Sequence, residues 1–318
     1  MTDGTTTDGT TVLLPYAAEE VAGDGTLPAG LDVQVWDATG DPPGDDVLAR
    51  VELYVPPYLV GRRSFELMAR MPALRVCQVL TAGTDAVEAY VPAGVALCNA
   101  RGVHDASTAE LAVALALAAL RDVPAAVRGQ DAGRWQPLPQ RPALADRTVL
   151  ILGYGAIGAA VERRLAGFEV DVLRVARSAR EVEAGPVHAM DDLPDLLPRA
   201  DVVVVVVPLT DATRGLVDAG FLARLRDGAL LVNVARGPVV DTAALLAELR
   251  GGRLRAALDV TDPEPLPEGH PLWSAPGLLV TPHVGGDTSA FRPRALGLLR
   301  AQLTRYAAGE ELANVVRS

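Results

Sequence analysis

Residues 148–167 read TVLILGYGAIGAAVERRLAG. Residues 149–152 form a strand-like apolar run, Gly153, Gly155 and Gly158 follow as GxGxxG, and a helix over 156–165 leads to a second strand over 170–175. Such glycines permit a tight turn, close backbone approach to a pyrophosphate and close helix–strand packing, while free amides at the helix N-terminus attract phosphate charge. Alone the motif is weak. Set between a strand and a helix that returns to a strand, it points to dinucleotide binding rather than to a plain strand-to-helix turn.

The second strand departs from the NAD pattern, in which an acid about 20 residues after the glycines binds both ribose hydroxyls. Ala176 stands where that acid is expected, and Arg177, Ser178 and Arg180 follow in VARSAR. Two guanidiniums and a hydroxyl suit a 2′-phosphate. Asp171 cannot substitute, because it lies at the start of the strand. NADP (as NADPH) is therefore the expected cofactor and NAD the secondary one; the competing reading makes these arginines a solvated loop.

At 318 residues and 49% hydrophobic content the chain can build two sizeable cores. No apolar stretch approaches a membrane span, and the N-terminus MTDGTTTDGTT is polar and acidic, unlike a secretory signal or transit peptide. It reads as a frayed tail, and the chain as cytoplasmic. The formal charge of −11 argues against nucleic acid or an anionic membrane as partner, so an anionic substrate needs a local positive site. All 29 basic residues are arginine, which excludes a Schiff-base lysine, a P-loop lysine and a lysine general base. Only His104, His188, His270 and His283 remain for proton chemistry near neutral pH. Cys77 and Cys98 sit in or beside apolar runs without metal-ligand spacing. Buried free thiols are the expectation, a single disulfide the alternative, and no metal is expected.

Residues 1–100 alternate strand-like runs (TVLLP, LDVQVW, VELYV, ALRVCQVL, VALCN) with loops and one helix, SFELMARM. STAELAVALALAALRDV, residues 107–123, is a long helical pattern apolar on nearly every face, which predicts burial between domains or between subunits. A Pro-, Arg- and Gln-rich loop over 134–147 leads into the glycine strand. Beyond VARSAR, the runs DVVVVVVP, ALLVNVA, LRAALDV and LLVTP are strands of the kind a parallel sheet buries on both faces, with helices such as TAALLAELRGG between them. Residues 291–308 form an amphipathic helix, and NVV near Asn314 can return the chain to the first domain.

Three of the late strands end on reactive side chains: Arg236 in NVARGPVVD, Glu264 in LDVTDPEP and His283 in VTPH. Strand carboxyl ends of an open parallel sheet face the ligand crevice, so a guanidinium, a carboxylate and an imidazole can converge there on one small anion. Taken singly, TPH is a loop histidine and DPEP a solvated turn. Their joint occurrence with ARG after a GxGxxG is what carries the reading. Asp262 is the rival carboxylate, read as a turn residue.

TAGTD, STAELAVALALAALR, GYGAIG, VPLTDATRGL, NVARGPVVD, LDVTDPEPLP, HPLW and TPHVGG, in this order, resemble the D-isomer-specific 2-hydroxyacid dehydrogenase family over residues 11–316. The resemblance implies an α/β chain in which a Rossmann-type doubly wound parallel sheet (102–285) is inserted in a flavodoxin-like substrate domain built from 1–101 and 286–318, with the active site in the cleft. It implies Arg236 as the substrate-binding arginine, Glu264 as the partner of the histidine, His283 as the general acid/base, and Asp259 as the residue that orients the nicotinamide carboxamide. The Ala82–Gly83 amides resemble the loop that receives the substrate carboxylate. Cofactor contacts fall to Gly153, Gly155, Ala156, Ile157 and Gly158, to Arg177, Ser178 and Arg180, and to Pro208, Thr213, Ala235 and Asp259. By the same analogy the chain is a homodimer, and Trp135 in AGRWQ reaches a neighbouring active site. Ala156 replaces the frequent basic residue after the second glycine, which puts more weight on backbone amides.

The roles also make chemical sense without the analogy. Reducing a 2-oxo acid needs hydride at the carbonyl carbon and a proton at its oxygen, which an imidazolium held by Glu264 can give while Arg236 forks across carboxylate and carbonyl. The expected function is an NADPH-preferring reductase of a small 2-oxo acid such as glyoxylate or hydroxypyruvate. The alternative is a dinucleotide-sensing regulatory protein of the same fold without significant turnover. A methyltransferase with a similar glycine loop leaves the late Arg/Glu/His set unexplained, and formate dehydrogenases of the family resemble a glutamine, not Glu264, beside the histidine. His104, in NARGVHDAS, departs from the commoner family pattern; a hinge or capping role is preferred to a pocket role. His188 and His270 read as structural. Loops near Tyr58, Leu80 and Trp273 shape the pocket for the substrate side chain.

Overall fold

Along β1 (Thr10–Leu14), Val12 and Leu14 join one apolar layer and Leu13 joins the layer on the other face, so the strand needs cover on both sides. The computed structural model describes residues 9–317; residues 1–8 of the expected tail lie outside the described residues. The chain divides into two compact units, Met1–His104 with Ser289–Ser318 and Asp105–Thr288. Both crossings fall three residues later than the sequence reading placed them, at 104 against 101 and at 288 against 285.

In the first unit β1 pairs in parallel with β2 (Leu31–Val35) and β3 (Val51–Tyr54), and β4 (Val76–Gln78) and β5 (Ala96–Cys98) continue the sheet. The strand Val315–Arg317 closes the far edge antiparallel to β5, so NVV does return to this unit. Two buried amides hold that return. Gln302 Nε2 donates to Gln78 Oε1 at 2.8 Å and to the Ala313 carbonyl at 2.9 Å, and the Ala313 amide donates back at 3.0 Å. Cys77 and Cys98 are free, buried and in opposite layers of this sheet, which removes the disulfide alternative. SFELMARM is not one helix: an α-turn over Arg62–Phe65 tightens into a 3₁₀ segment, Glu66–Arg70, and ends at Met71. Met71 precedes Pro72, a position from which the ring excludes helical backbone.

The second unit holds β6 (Thr148–Leu152), β7 (Asp171–Val175), β8 (Arg180–Val182), β9 (Gly185–His188), β10 (Val202–Val205), β11 (Leu230–Asn233), β12 (Arg255–Leu258) and β13 (Leu278–Val280). Their order is β13-β12-β11-β10-β6-β7-β9-β8, parallel throughout except for the β8–β9 hairpin at one edge. Val149 and Ile151 face one apolar layer and Leu150 and Leu152 the other; Val202 and Val204 alternate with Val203 and Val205 in the same way. Each such side chain contributes about 1.5–3 kcal/mol on burial, which only helices on both faces can provide. From β6 the chain runs outward to β7, then returns to the other side of β6 at β10. That reversal opens a crevice at the carboxyl ends of β6 and β10.

The all-round apolar helix Asp105–Leu120 finds cover inside this unit, against β11, β12 and the helix Ala156–Leu165. It ends at Leu120, where Asp122 adopts a left-handed backbone (φ 55°) and a separate helix, Val123–Asp131, begins. The Arg255 guanidinium caps the break, donating to the Leu120 carbonyl at 3.3 Å and to that of Ala119. Among the described residues no helix is long and apolar enough to cross a membrane.

Candidate active site

The three motif glycines carry three separate constraints. Gly153 has φ +108°, and a Cβ there would lie 2.7 Å from the Val206 backbone, the chain leaving β10. Gly158 would push a Cβ to 2.6 Å from the Gly153 carbonyl and 3.1 Å from the Ile151 side chain, so it sets how closely helix and strand pack. At Gly155 a Cβ would meet nothing within 4 Å. The open side of the turn thus lies at the N-terminus of the helix Ala156–Leu165, whose first residues Ala156 and Ile157 are half-buried. Close backbone approach and unpaired helical amides are the features a pyrophosphate requires, and the site fits a dinucleotide.

Tyr154 anchors this turn from two directions. Its hydroxyl donates to Glu162, which is also bonded by Arg174 through Nε at 2.9 Å and through Nη2, and the Arg174 guanidinium lies 5.9 Å from the Tyr154 ring centre. Burial alone would push the Glu162 carboxyl up; the bonds from Arg174 and Tyr154 and the guanidinium charge outweigh it and hold the group below its ordinary value. On the other side, Arg180 Nη2 donates to the Tyr154 carbonyl at 2.5 Å. Arg180 is therefore not simply a loop cation: it opens β8 and is bonded to the glycine turn. Arg177 and Ser178 are exposed after β7, and the Ala176 amide donates to the His188 carbonyl at 3.0 Å. Thr213 closes the loop beyond β10, its hydroxyl donating to the Pro208 carbonyl at 2.6 Å.

β11, β12 and β13 are neighbours, and their carboxyl ends bring the late residues to one edge. After β11, Asn233 Oδ1 accepts the Ala235 amide at 3.0 Å and Asn233 Nδ2 donates to the Arg236 carbonyl at 2.9 Å, which fixes the backbone that carries Arg236. Arg236 Nη1 donates to the Ala235 carbonyl at 2.8 Å. Gly237 follows because nothing larger fits: a Cβ would fall 1.8 Å from the Thr261 carbonyl, on the segment leaving β12.

After β12, the buried Asp259 carboxylate organises the next turn. Its Oδ1 accepts the Thr281 hydroxyl at 2.6 Å and the Val284 amide at 3.0 Å, its Oδ2 accepts the Gly285 amide at 2.9 Å, and its carbonyl accepts the His283 amide at 2.8 Å. His283 sits inside this clasp with φ +54°, a left-handed conformation that costs about 1–2 kcal/mol and persists because the turn is fixed on all sides. The clasp aims the ring at Glu264: Nδ1 and Oε1 are 2.5 Å apart. Glu264, not Asp262, makes this contact; the Asp262 carbonyl instead accepts the Thr242 hydroxyl at 3.0 Å. Asp259, read from sequence as a nicotinamide contact, thus has a structural duty on the same carboxylate. Asn233 and Thr281 were given no role from sequence, although both lie inside its motifs, NVARGPVVD and TPHVGG.

In the first unit the Ala82–Gly83 loop is tied through three successive carbonyls: Thr81 O accepts the Ala100 amide at 2.9 Å, Ala82 O accepts Asn99 Nδ2 at 2.9 Å, and Gly83 O accepts the Thr81 hydroxyl at 2.7 Å. His270 Nδ1 accepts the Leu272 amide at 3.2 Å, capping a short turn, and His188 lies 3.7 Å from Asp192. Trp135 is 97% exposed.

A crevice at the switch point and a histidine–carboxylate pair on the same strand ends define a dinucleotide-dependent oxidoreductase. Residues 113–285 match the family model for the D-isomer specific 2-hydroxyacid dehydrogenase NAD binding domain. The chain is 34% identical to glyoxylate reductase of Aeropyrum pernix, over 90% of this chain and 89% of that one. It is also 34% identical to D-3-phosphoglycerate dehydrogenase of Methanocaldococcus jannaschii, over 72% of this chain and 44% of that one. Among solved structures, a D-isomer specific 2-hydroxyacid dehydrogenase of Xanthobacter autotrophicus Py2 in complex with NADPH and MES has a TM-score of 0.80 at 34% identity, covering 97% of this chain and 98% of that one. The chain belongs to the D-isomer specific 2-hydroxyacid dehydrogenase family, as an NAD(P)-dependent oxidoreductase acting on the CH–OH group of 2-hydroxy acids.

Proposed function

We propose that this enzyme is an NADPH-preferring reductase of a small 2-oxo acid of the glyoxylate or hydroxypyruvate type. The 2.5 Å contact between His283 Nδ1 and Glu264 Oε1 carries the reading. A carboxylate only accepts, so Nδ1 holds the bonded hydrogen and Nε2 is left as the position of the transferable proton. Glu264 orients the ring, whose Nε2 proton passes to the substrate carbonyl oxygen as negative charge develops there. Arg236 forks across the carboxylate and carbonyl oxygens, and the Ala82 and Gly83 amides receive the carboxylate. Asp259 holds the His283 turn and faces the nicotinamide carboxamide. When bound, the nicotinamide supplies the hydride.

Gly153, Gly155, Ala156, Ile157 and Gly158 hold the pyrophosphate through the backbone, with Pro208, Thr213 and Ala235 along the crevice. Arg177 and Ser178 take the 2′-phosphate; the missing acid at Ala176 and the relative solved with NADPH support that preference. The same reading makes the enzyme a cytoplasmic homodimer, supported by the buried free thiols and by the exposed apolar side chains Val123, Val127 and Trp135.

The test is NADPH and NADH oxidation against a panel of 2-oxo acids that includes a phosphorylated one, because one relative is a phosphoglycerate dehydrogenase. NADPH is expected to win by at least about tenfold in efficiency, roughly 1.4 kcal/mol, on a small unphosphorylated acid. Equal efficiency with both cofactors refutes the preference. Tight NADPH binding without turnover on any acid replaces the enzyme by the sensing protein.

A further inference from the structure

His104, the last residue of the first unit before the crossing, is 5% exposed, and its Nε2 lies 2.7 Å from the Leu80 carbonyl. A carbonyl only accepts, so Nε2 carries the hydrogen and Nδ1 is the bare acceptor. Nδ1 is buried and has no hydrogen-bond partner. The ring stacks on Tyr58 (5.7 Å between centres) and on Phe291 (5.4 Å), both of the same unit. For packing alone a phenyl ring would serve better here, since it buries no unpaired polar atom. What the imidazole adds is the bond to Leu80.

Leu80 leads directly into the Ala82–Gly83 loop. A peptide plane joins each carbonyl to the next amide, so Thr81 O, fixed by the Ala100 amide, sets the direction of the Ala82 N–H, and Ala82 O, fixed by Asn99, sets that of the Gly83 N–H. The Leu80 carbonyl is the one plane upstream, where the chain has left β4, and His104 is the group that holds it. We propose that His104 is a positioning residue for the loop that receives the substrate carboxylate, setting affinity for the 2-oxo acid without touching it. This rests on the reading that the Ala82 and Gly83 amides bind that carboxylate.

The experiment compares His104→Phe, which keeps the stack and loses the donor, with His104→Gln, whose Nε2 can reach the same carbonyl, and with Gly83→Pro, which removes one loop amide. Km for glyoxylate, kcat, NADPH affinity and Tm are recorded for each. His104→Phe is expected to raise Km about tenfold with kcat within about threefold and NADPH affinity unchanged, the pattern of lost ground-state and transition-state binding alike. His104→Gln should recover most of the loss. Wild-type Km in His104→Phe, with Km raised in Gly83→Pro, overturns the role of His104 alone. Wild-type Km in Gly83→Pro overturns the loop reading and the inference with it. Equal Km losses in the Phe and Gln variants assign His104 to packing and also overturn the proposal.

Discussion

Arg180 Nη2 donates to the carbonyl of Tyr154 at 2.5 Å, joining the start of the β8–β9 hairpin to the glycine turn proposed to hold the pyrophosphate. Arg177 lies exposed just past β7, and under the proposed function it meets the 2′-phosphate, the group that distinguishes the two cofactors. The two arginines should therefore fail differently. Arg177→Ala is expected to weaken NADPH by about tenfold or more and leave NADH nearly untouched, the loss of one charge-assisted phosphate contact. Arg180→Ala should weaken both cofactors, because it loosens the shared turn. Fluorescence titration of each variant with both cofactors decides it; an Arg180→Ala defect confined to NADPH would put that side chain on the phosphate instead.

Arg236→Lys keeps the charge but loses the planar fork. If the guanidinium spans carboxylate and carbonyl, Km should rise and kcat fall together, each by about tenfold or more. Wild-type steady-state kinetics would place the substrate elsewhere.

Much of this site was legible because its parts are consecutive or periodic. GxGxxG between two apolar runs reports a turn whose constraints are local, and Arg236, Glu264 and His283 follow β11, β12 and β13, which are neighbours in the sheet. The carboxylate that partners His283 was separable from Asp262 as well. What sequence did not give is what depends on side chains crossing between elements. The β8–β9 hairpin has only three paired positions and no strong period, and the bond from Arg180 to Tyr154 spans 26 residues. The helix after His104 is apolar all round, a pattern that marks burial but cannot say by what; it packs on β11, β12 and the glycine helix. The domain crossings slipped because no composition change marks them.

Gly237→Ala tests the close approach that sets Arg236 against the chain after β12. A methyl 1.8 Å from the Thr261 carbonyl has no room, so either the Arg236 turn or the segment carrying Glu264 must move. The change should cost about 3 kcal/mol or more, lowering Tm by roughly 5–10 °C, and kcat/Km should fall further than Tm alone explains. Thermal melts and kinetics on the same preparation check both; an unaltered Tm would mean that the backbone yields there.

The two thiols should be inert in the folded protein. Burial pushes the Cys77 thiol up to about 12, with the neighbouring Cys98 adding to the shift, and burial raises Cys98 to about 11. At pH 8 almost no thiolate forms at either, and the thiolate is the nucleophile. Intact-mass measurement after iodoacetamide should show no adduct on native protein and two after denaturation. Rapid native labelling would mean that the first unit opens.

The last prediction concerns proton delivery. With His283 giving the proton and Glu264 holding its ring in place, loss of either side chain should slow reduction. Glu264→Gln replaces the carboxylate 2.5 Å from Nδ1 by an amide that can donate as well as accept, so the ring loses its fixed orientation and kcat should fall about tenfold or more. His283→Ala should cost about 10²–10⁴-fold in kcat, the range for losing a positioned acid, while NADPH affinity stays near wild type. The measurements are steady-state kinetics of reduction for both variants, with cofactor binding followed by fluorescence. Wild-type kcat in Glu264→Gln, or normal turnover by His283→Ala, would remove this pair from the chemistry. His104 could not simply take its place, since its Nε2 is already bonded to Leu80 and its ring packs against the Tyr58–Phe291 stack.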